Sequence, residues 1–492
     1  MKQFKILYLA SEVAPFAKAG GLADVTGALP KALKGLNQEI RVMMPKYKFI
    51  NERKFVLREV IRLKEIPVTI NGRTEIANVK SAFLPDSKVQ IYFIEIADFF
   101  SRPGIYADPN TGEPYEDNAE RFAFFSKAAM ETLKILSWQP DAIHCNDWQT
   151  ACVPVYLKTL YQGDPFFKGV KTIYTIHNLT SQGAFETIKA KPIEFDESQV
   201  KEGGMFYKDG MLNLTKGAIY FSDFITTVSG NYASEIISDA EFGFGFGKLL
   251  KEMGEKFEGI LNGVDYTVWT PDTDRLIPNQ YTMEDMSGKE ENKKALLLRL
   301  GMESKPEAPV ISLVSRISAQ KGLDLVADAL DDLLKMDLHL CFIGDGEPAL
   351  IDKITTYHKK YPDKISLNVN YDEKMVHLAL AGSDLYLMPS KYEPCGLNQI
   401  YSMKYGTIPI VSAVGGLYDT VDDIDMESGD GTGFLIESLS SKGIIDAVKK
   451  ALSLYRNKKV WADLQKRVMV EDFSWEVSAN RYVDIYEKVI TD

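Results

Sequence analysis

Two cations five residues apart, Arg316 and Lys321 in the run Ser315-Arg316-Ile317-Ser318-Ala319-Gln320-Lys321-Gly322-Leu323-Asp324, carry the strongest chemical signal in the chain. They follow an apolar strand candidate and precede a helical pattern, and fixed cations beside a helix N-terminus suit a pyrophosphate. A second run, Glu393-Pro394-Cys395-Gly396-Leu397-Asn398, also follows a strand candidate. Glu393 there could accept hydrogen bonds from sugar hydroxyls. The N–H groups of Cys395, Gly396 and Leu397 could point at a ligand, with Pro394 in the first turn of a helix. Gly415-Gly416-Leu417, after the next strand, repeats the same device. A third run, Lys18-Ala19-Gly20-Gly21-Leu22-Ala23-Asp24, follows the first strand. Glycines at a strand-to-helix turn let backbone N–H groups approach a ligand, and Lys18 adds a point charge. A turn with a solvated lysine is the plain alternative. The run is not G-x-G-x-x-G, which argues against a nicotinamide cofactor.

Weaker signals end two strands of the first half: His144-Cys145-Asn146-Asp147-Trp148 and His177-Asn178-Leu179. A lone histidine is usually packed or solvated, but a strand end facing a cleft tilts the reading towards function. No His, Asp or Glu set has metal-ligand spacing, and Asp422-Asp423 reads as a solvated acidic turn. The four cysteines form no C-x-x-C pair, so reduced thiols are expected. Gly243, Gly245 and Gly247, interleaved with Phe242, Phe244 and Phe246, suggest a flexible aromatic loop, whether a lid, an acceptor contact or a mere connection.

Holding such groups takes strands whose loops converge. Strand candidates in the first half are Ile6–Ala10, Ile40–Met44, Val89–Ile94, Ala142–Cys145, Thr172–Ile176 and Phe224–Val228. Between them Asn118–Leu136 repeats Phe122, Phe125, Ala129, Leu133 and Leu136 at helical spacing. Residues 62–82 are polar around Asn71-Gly72 and read as an inserted hairpin. Pro30 falls inside a helical pattern and should kink or split it. After Asn262-Gly263-Val264-Asp265 the alternation lapses from about Trp269 to Pro309, with a short helix expected around Glu290–Leu300. It restarts with Val310–Val314, Leu338–Ile343, Ile365–Val369, Leu385–Met388 and Ile408–Val411, and ends in a helix, Trp475–Ile490. Alternating strands and helices imply parallel doubly wound sheets with ligands beyond the carboxyl ends of the strands. The expectation is two α/β domains facing each other across a cleft. Residues 1–260, joined by the C-terminal helix 475–492, form the first, and 261–474 the second.

Any one run is weak, but their order and spacing are specific. Lys18–Asp24, His177-Asn178, Leu261–Asp265, Ser315–Leu325, Glu393–Leu397 and Gly415–Val421 resemble the signatures of bacterial glycogen synthases and plant starch synthases, over essentially the whole chain. The resemblance implies the GT-B fold, with two Rossmann-like domains, and transfer of glucose from ADP-glucose to the non-reducing 4-hydroxyl of an α-1,4-glucan. It also implies retention of configuration, no metal and no cofactor. Carried over, Lys18, Arg316 and Lys321 would hold the donor phosphates, Glu393 with the Cys395, Gly396 and Leu397 amides the glucose, and His177 would lie near the reacting carbon. Gly20 and Gly21 would line the donor side, Asp24 and Asn262 would help bind donor or acceptor, and Tyr371 could stack on the base. Asp147, His177 and Asn178 fall on the acceptor and sugar side. Since these residues come from both halves, the cleft is expected to close on the donor.

This chain departs from the family pattern at Ala19, Asn398 and Val414, where threonine is common, and at Asn146 and Gln149, where histidine is frequent. The charged groups are spared, and the choice between ADP and UDP stays open. A GT-B enzyme using UDP-glucose and a non-catalytic glucan-binding regulator are the alternatives.

At 492 residues, 45% hydrophobic and 26% charged, the chain has the composition of a globular two-domain protein. A net charge of -12 argues against a nucleic-acid surface and weakens the case for an anionic membrane partner. No apolar run is long enough to span a bilayer. Lys5–Ala10 meets Glu12 too soon for a signal peptide, so the reading is cytoplasmic. Nothing in the sequence sets an oligomeric state.

Overall fold

The computed structural model describes residues 2–302, 305, 307–369 and 372–491. It resolves into two compact units. The first runs through Val228, resumes over Ala233–Gly263 and takes the chain from Trp475 onward; the second is Ser229–Tyr232 with Val264–Ser474.

Seven parallel strands form the frame of the first unit: β1 (Lys5–Leu9), β2 (Glu39–Pro45), β3 (Gln90–Glu95), β4 (Ala142–Asn146), β5 (Lys171–Ile176), β6 (Phe224–Thr227) and β7 (Phe257–Gly259). Their spatial order is β7-β6-β5-β4-β1-β2-β3. Short runs such as Ile6-Leu7-Tyr8-Leu9, buried along their whole length, are what a sheet covered on both faces requires. Ile6 pairs with Ile40 on one side and Ala142 on the other, so the order reverses between β1 and β4. The loops leaving those two strands flank a topological switch point.

The hairpin is formed by Ile66–Ile70 and Arg73–Phe83, turning on Asn71 (φ 48°) and Gly72 (φ 78°), the residue types a type I′ turn needs. Its second strand pairs antiparallel with β3 and so extends the main sheet.

The second unit repeats the plan with six parallel strands: β8 (Val310–Val314), β9 (His339–Ile343), β10 (Ile365–Asn368), β11 (Leu385–Met388), β12 (Ile408–Ser412) and β13 (Phe434–Ile436). Their order, β10-β9-β8-β11-β12-β13, is the doubly wound arrangement, with its switch point between β8 and β11. The stretch where the alternation lapses packs onto this unit. Trp269 stacks on His377 and Tyr401, with ring centroids 4.0 and 4.2 Å away, and Ser287–Arg299 is a helix.

Three expectations need correction. Pro30 does not split its helix, which runs unbroken from Gly21 to Gly35. Leu29, Pro30 and Leu33 are buried on its inner face, and that burial offsets the one hydrogen bond proline removes, a loss of about 3 kcal/mol. The Gly/Phe segment is not an irregular loop. A helical turn, Ala240–Gly243, leads through left-handed Phe244 into a helix, Gly247–Met253, and Phe246 is buried beneath Lys208.

The third concerns His144, which has no role at a ligand. It is buried, with its ring nitrogens 2.7 Å from the Tyr486 hydroxyl and 2.6 Å from Thr175 Oγ1. It therefore helps to seat the C-terminal helix, Trp475–Thr491, on the first unit, where Ser478 Oγ also donates to the Leu261 carbonyl at 2.6 Å. Among the described residues no helix is long and apolar enough to cross a membrane.

Candidate active site

In the first unit the loops after β1, β4 and β5 form one polar network. Asn146, the last residue of β4, accepts at Oδ1 from the Tyr8 hydroxyl (3.1 Å) and from His177 Nε2 (2.8 Å), while its Nδ2 donates to the Leu9 carbonyl. That orientation makes Nε2 the protonated nitrogen of His177 and leaves Nδ1 as an acceptor. Burial pushes the His177 ring down to about 3, so it is a neutral imidazole at working pH.

Asp147 is held at φ 55°, a conformation that non-glycine residues rarely adopt. Its Oδ1 accepts the His177 backbone N–H at 2.8 Å, which ties the β4 loop to the β5 loop. Burial raises its carboxyl to about 7, against the hydrogen bonds from the His177 and Asn178 backbone. Asn178 turns inward on its own loop, its Oδ1 accepting from the backbone and hydroxyl of Thr180.

The glycine-rich turn is organised by a residue that sequence reasoning missed. Glu12 Oε2 accepts the N–H groups of Ala19 (2.5 Å) and Gly20 (2.9 Å), and Oε1 accepts the Tyr106 hydroxyl (2.5 Å). Two of the turn's amides are therefore spent on the protein, which corrects the expectation that the glycine turn presents them to a ligand. Above the turn there is room: a Cβ added at Gly20 or Gly21 meets nothing within 4 Å. Lys18 is exposed and pairs with Asp24 at 2.7 Å, so the two candidates neutralise each other here. The available signal for Glu12 was its place in the same strand-end loop as Lys18. Tyr106 lies far along the chain and left none.

Asn262, near the end of the first unit, is buried with its Oδ1 unpartnered among the described residues. A buried acceptor left open is uncommon and marks a place where a ligand or water belongs.

In the second unit the two loops flanking the switch point meet. Lys321 Nζ lies 2.5 Å from Glu393 Oε2, which also accepts from Ser390 Oγ at 3.0 Å. Arg316 is exposed and makes no ion pair among the described residues. Gly322, with φ 70°, is needed where the chain turns, because a Cβ there would lie 1.9 Å from the Pro389 carbonyl oxygen.

Pro394 is not in a first helical turn, since the helix begins only at Asn398. Pro394, Cys395 and Gly396 instead form a loop pressed against the next one. The Gly416 N–H donates to the carbonyls of Glu393 and Pro394, both at 3.2 Å. Gly415-Gly416 is thus a brace for the Glu393 loop and not a second ligand cradle. Tyr371, the expected base-stacking residue, lies outside the described residues. Among those described, no group of three or more His, Cys, Asp or Glu residues could hold a metal ion.

The brace makes a stability prediction. A Cβ on Gly415 would sit 1.9 Å from the Glu393 carbonyl oxygen at a backbone φ of 46°. Gly415→Ala should cost about 2–4 kcal/mol from left-handed strain and overpacking together. Chemical denaturation should show a lower midpoint in the variant, and an unchanged midpoint would contradict the close packing.

Two doubly wound units, each with its polar groups at the carboxyl side of a switch point, are the architecture of a GT-B glycosyltransferase. The comparisons narrow this class. Residues 5–252 match the family model described as starch synthase catalytic domain, and residues 301–467 that of glycosyl transferases group 1. The chain is 41% identical to a glycogen synthase of Koribacter versatilis, covering 98% of both chains, and 36% identical to one of Chlorobium phaeobacteroides, covering 99% of both.

Among solved structures it is similar to the catalytic domain of starch synthase IV from Arabidopsis thaliana bound to ADP and acarbose. That match has a TM-score of 0.90 and 32% identity, over 100% of both chains. Similarity to a sucrose-phosphate synthase from Thermosynechococcus elongatus (TM-score 0.60, 17% identity, 99% of both chains) shows the shared fold alone. The chain belongs to the glycogen synthase and starch synthase family, and it is a glycosyltransferase with that family's glucan-synthesising function.

Proposed function

We propose that this chain transfers glucose from ADP-glucose to the non-reducing 4-hydroxyl of an α-1,4-glucan, with retention and without a metal. The observation that carries the reading is the meeting of Lys321 and Glu393, with Arg316 on the same loop as Lys321, at the switch point of the second unit. There a diphosphate can exchange for the carboxylate at Lys321, and the released Glu393 can accept from glucose hydroxyls.

In the step itself the acceptor oxygen forms its bond to the anomeric carbon while the bond from that carbon to the diphosphate oxygen breaks. The electron pair leaves on the diphosphate, which also takes the acceptor's proton. Arg316 and Lys321 stabilise the charge that develops on the leaving group, the largest lever available to such a site. His177, neutral and fixed by Asn146, meets the sugar side as a polar group without positive charge of its own, which suits a carbon that is becoming cationic.

Radiolabelled ADP-glucose and UDP-glucose, each offered with glycogen, test the assignment. Faster incorporation from ADP-glucose is expected, with α-1,4 linkages in the product. Preference for UDP-glucose would overturn the donor assignment, and absence of transfer from either donor would leave a binding protein.

Treatment with EDTA should leave the rate within about twofold, because fixed cations supply the charge a metal would. Loss on chelation with recovery on adding Mg²⁺ or Mn²⁺ would refute the metal-free step.

A further inference from the structure

At the other end of the second unit's sheet, where β8 and β11 begin, lies a cavity of about 500 Å³. This is within the range of small-molecule sites. Five ammonium groups line it: Lys289, Lys293 and Lys294 from the helix Ser287–Arg299, and Lys458 and Lys466 from the helix Lys458–Val470. Three carboxylates, Asp384, Glu290 and Glu307, stand against them, and Lys294 pairs with Glu291, outside the lining, at 2.6 Å.

Much of the acidic capacity is already engaged. Asp384 Oδ2 takes Lys293 Nζ at 2.8 Å and the Val310 backbone N–H at 2.8 Å. Lys289 is buried and donates to the carbonyls of Ala381 (3.1 Å) and Tyr405 (2.9 Å) and to Thr407 Oγ1 (2.7 Å). Burial drives it down to about 7, and burial also lowers Lys458. These cations are crowded and partly dehydrated, a condition a bound anion relieves.

The remaining wall is aromatic. Tyr455 and Trp461 meet edge to face with ring centroids 5.1 Å apart, and the Lys458 ammonium lies 3.4 Å from the Tyr455 centroid. The Trp461 indole N–H is buried without a partner among the described residues, a donor in want of an acceptor. None of the residues assigned to glucose transfer lines this cavity. Arg316, Lys321 and Glu393 all follow the carboxyl ends of the same strands.

We propose that this cavity is a second ligand site that takes a small phosphomonoester, its dianionic phosphate among the lysines and its ring portion against Tyr455 and Trp461. Lys458 and Lys466, which make no ion pair among the described residues, suit a phosphate, and the aromatic wall suits a sugar ring or a base more than a bare inorganic ion.

The test is calorimetric titration of the full chain with ribose 5-phosphate, inorganic phosphate and ribose. Ribose 5-phosphate should bind with a Kd of about 1 mM or tighter, inorganic phosphate about tenfold more weakly, and ribose not measurably. Lys458→Glu with Lys466→Glu, both exposed at the rim, should weaken ribose 5-phosphate by about 30-fold or more, while Arg316→Ala changes it less than about threefold. Should the double variant not fold, Lys466→Gln alone should still weaken binding by about threefold or more.

No binding of either phosphate would overturn the proposal, as would equal affinity for the two. Loss that tracks Arg316 and not the two lysines would place the phosphate at the donor loops and refute the second site. The readout is binding alone, so it stands or falls independently of transfer activity.

Discussion

Arg316→Ala and Lys321→Ala are each expected to lower kcat/KM for the nucleotide-sugar by about 10²–10³-fold, the loss typical of removing one group aimed at developing negative charge. The two should differ in stability. Arg316 is exposed without an ion pair among the described residues, so its removal should leave Tm within about 1 °C of wild type. Lys321 is the partner of Glu393, whose side chain is only 10% exposed, and its loss strands a mostly buried carboxylate. A lower Tm is therefore expected for Lys321→Ala, and adding Glu393→Gln should restore much of it without restoring turnover. Steady-state kinetics and thermal unfolding of the four proteins check this together. Near-wild-type kcat/KM in both single variants would remove the phosphate role. Recovery of turnover in Lys321→Ala/Glu393→Gln would reduce Lys321 to a structural counter-ion.

Much of this arrangement was legible in the sequence because parallel strands buried on both faces leave continuous apolar runs, and glycines and charges cluster where those runs end. Arg316, Lys321 and Glu393 could be found that way, since each lies a few residues beyond a strand. Less legible was how the loops use one another. The Gly415-Gly416 pair looks like a ligand cradle in one dimension, yet the Gly416 N–H and the pair's missing side chains serve the Glu393 loop. Glu12 and Tyr106 were invisible because their partnership spans 94 residues and depends on a carboxylate turning under the glycine turn. Pro30 misled because its local cost is read directly from sequence, whereas the burial that offsets it belongs to tertiary packing. His144 misled for the same reason, since its partner Tyr486 sits 342 residues away.

The second large effect concerns Asp147, where activity and stability should move in opposite directions. Its carboxyl is raised by burial from 3.8 to about 7, whereas His177 beside it is lowered to about 3 and stays neutral through the physiological range. An acid limb of kcat/KM near pH 7 should then belong to the aspartate, with the rate falling up to about tenfold per pH unit below it. Asp147→Asn should remove that limb and lower kcat/KM by about 10²-fold, because the amide keeps one acceptor for the His177 N–H but carries no negative charge. His177→Asn should lower the rate while leaving the limb in place.

The stability sign follows from the same shift. A carboxyl whose folded pKa lies above its unfolded value binds more protons folded than unfolded between pH 3.8 and about 7. Its contribution to stability is full below 3.8 and lost as the pH rises through 7, so the ionised side chain is a burden at pH 8. Asp147→Asn should accordingly be no less stable than wild type at pH 8, and less favoured relative to it at pH 5. If the limb persists in Asp147→Asn and vanishes in His177→Asn, the titrating group is the imidazole, and the neutral, burial-depressed histidine on which the transfer step relies is wrong.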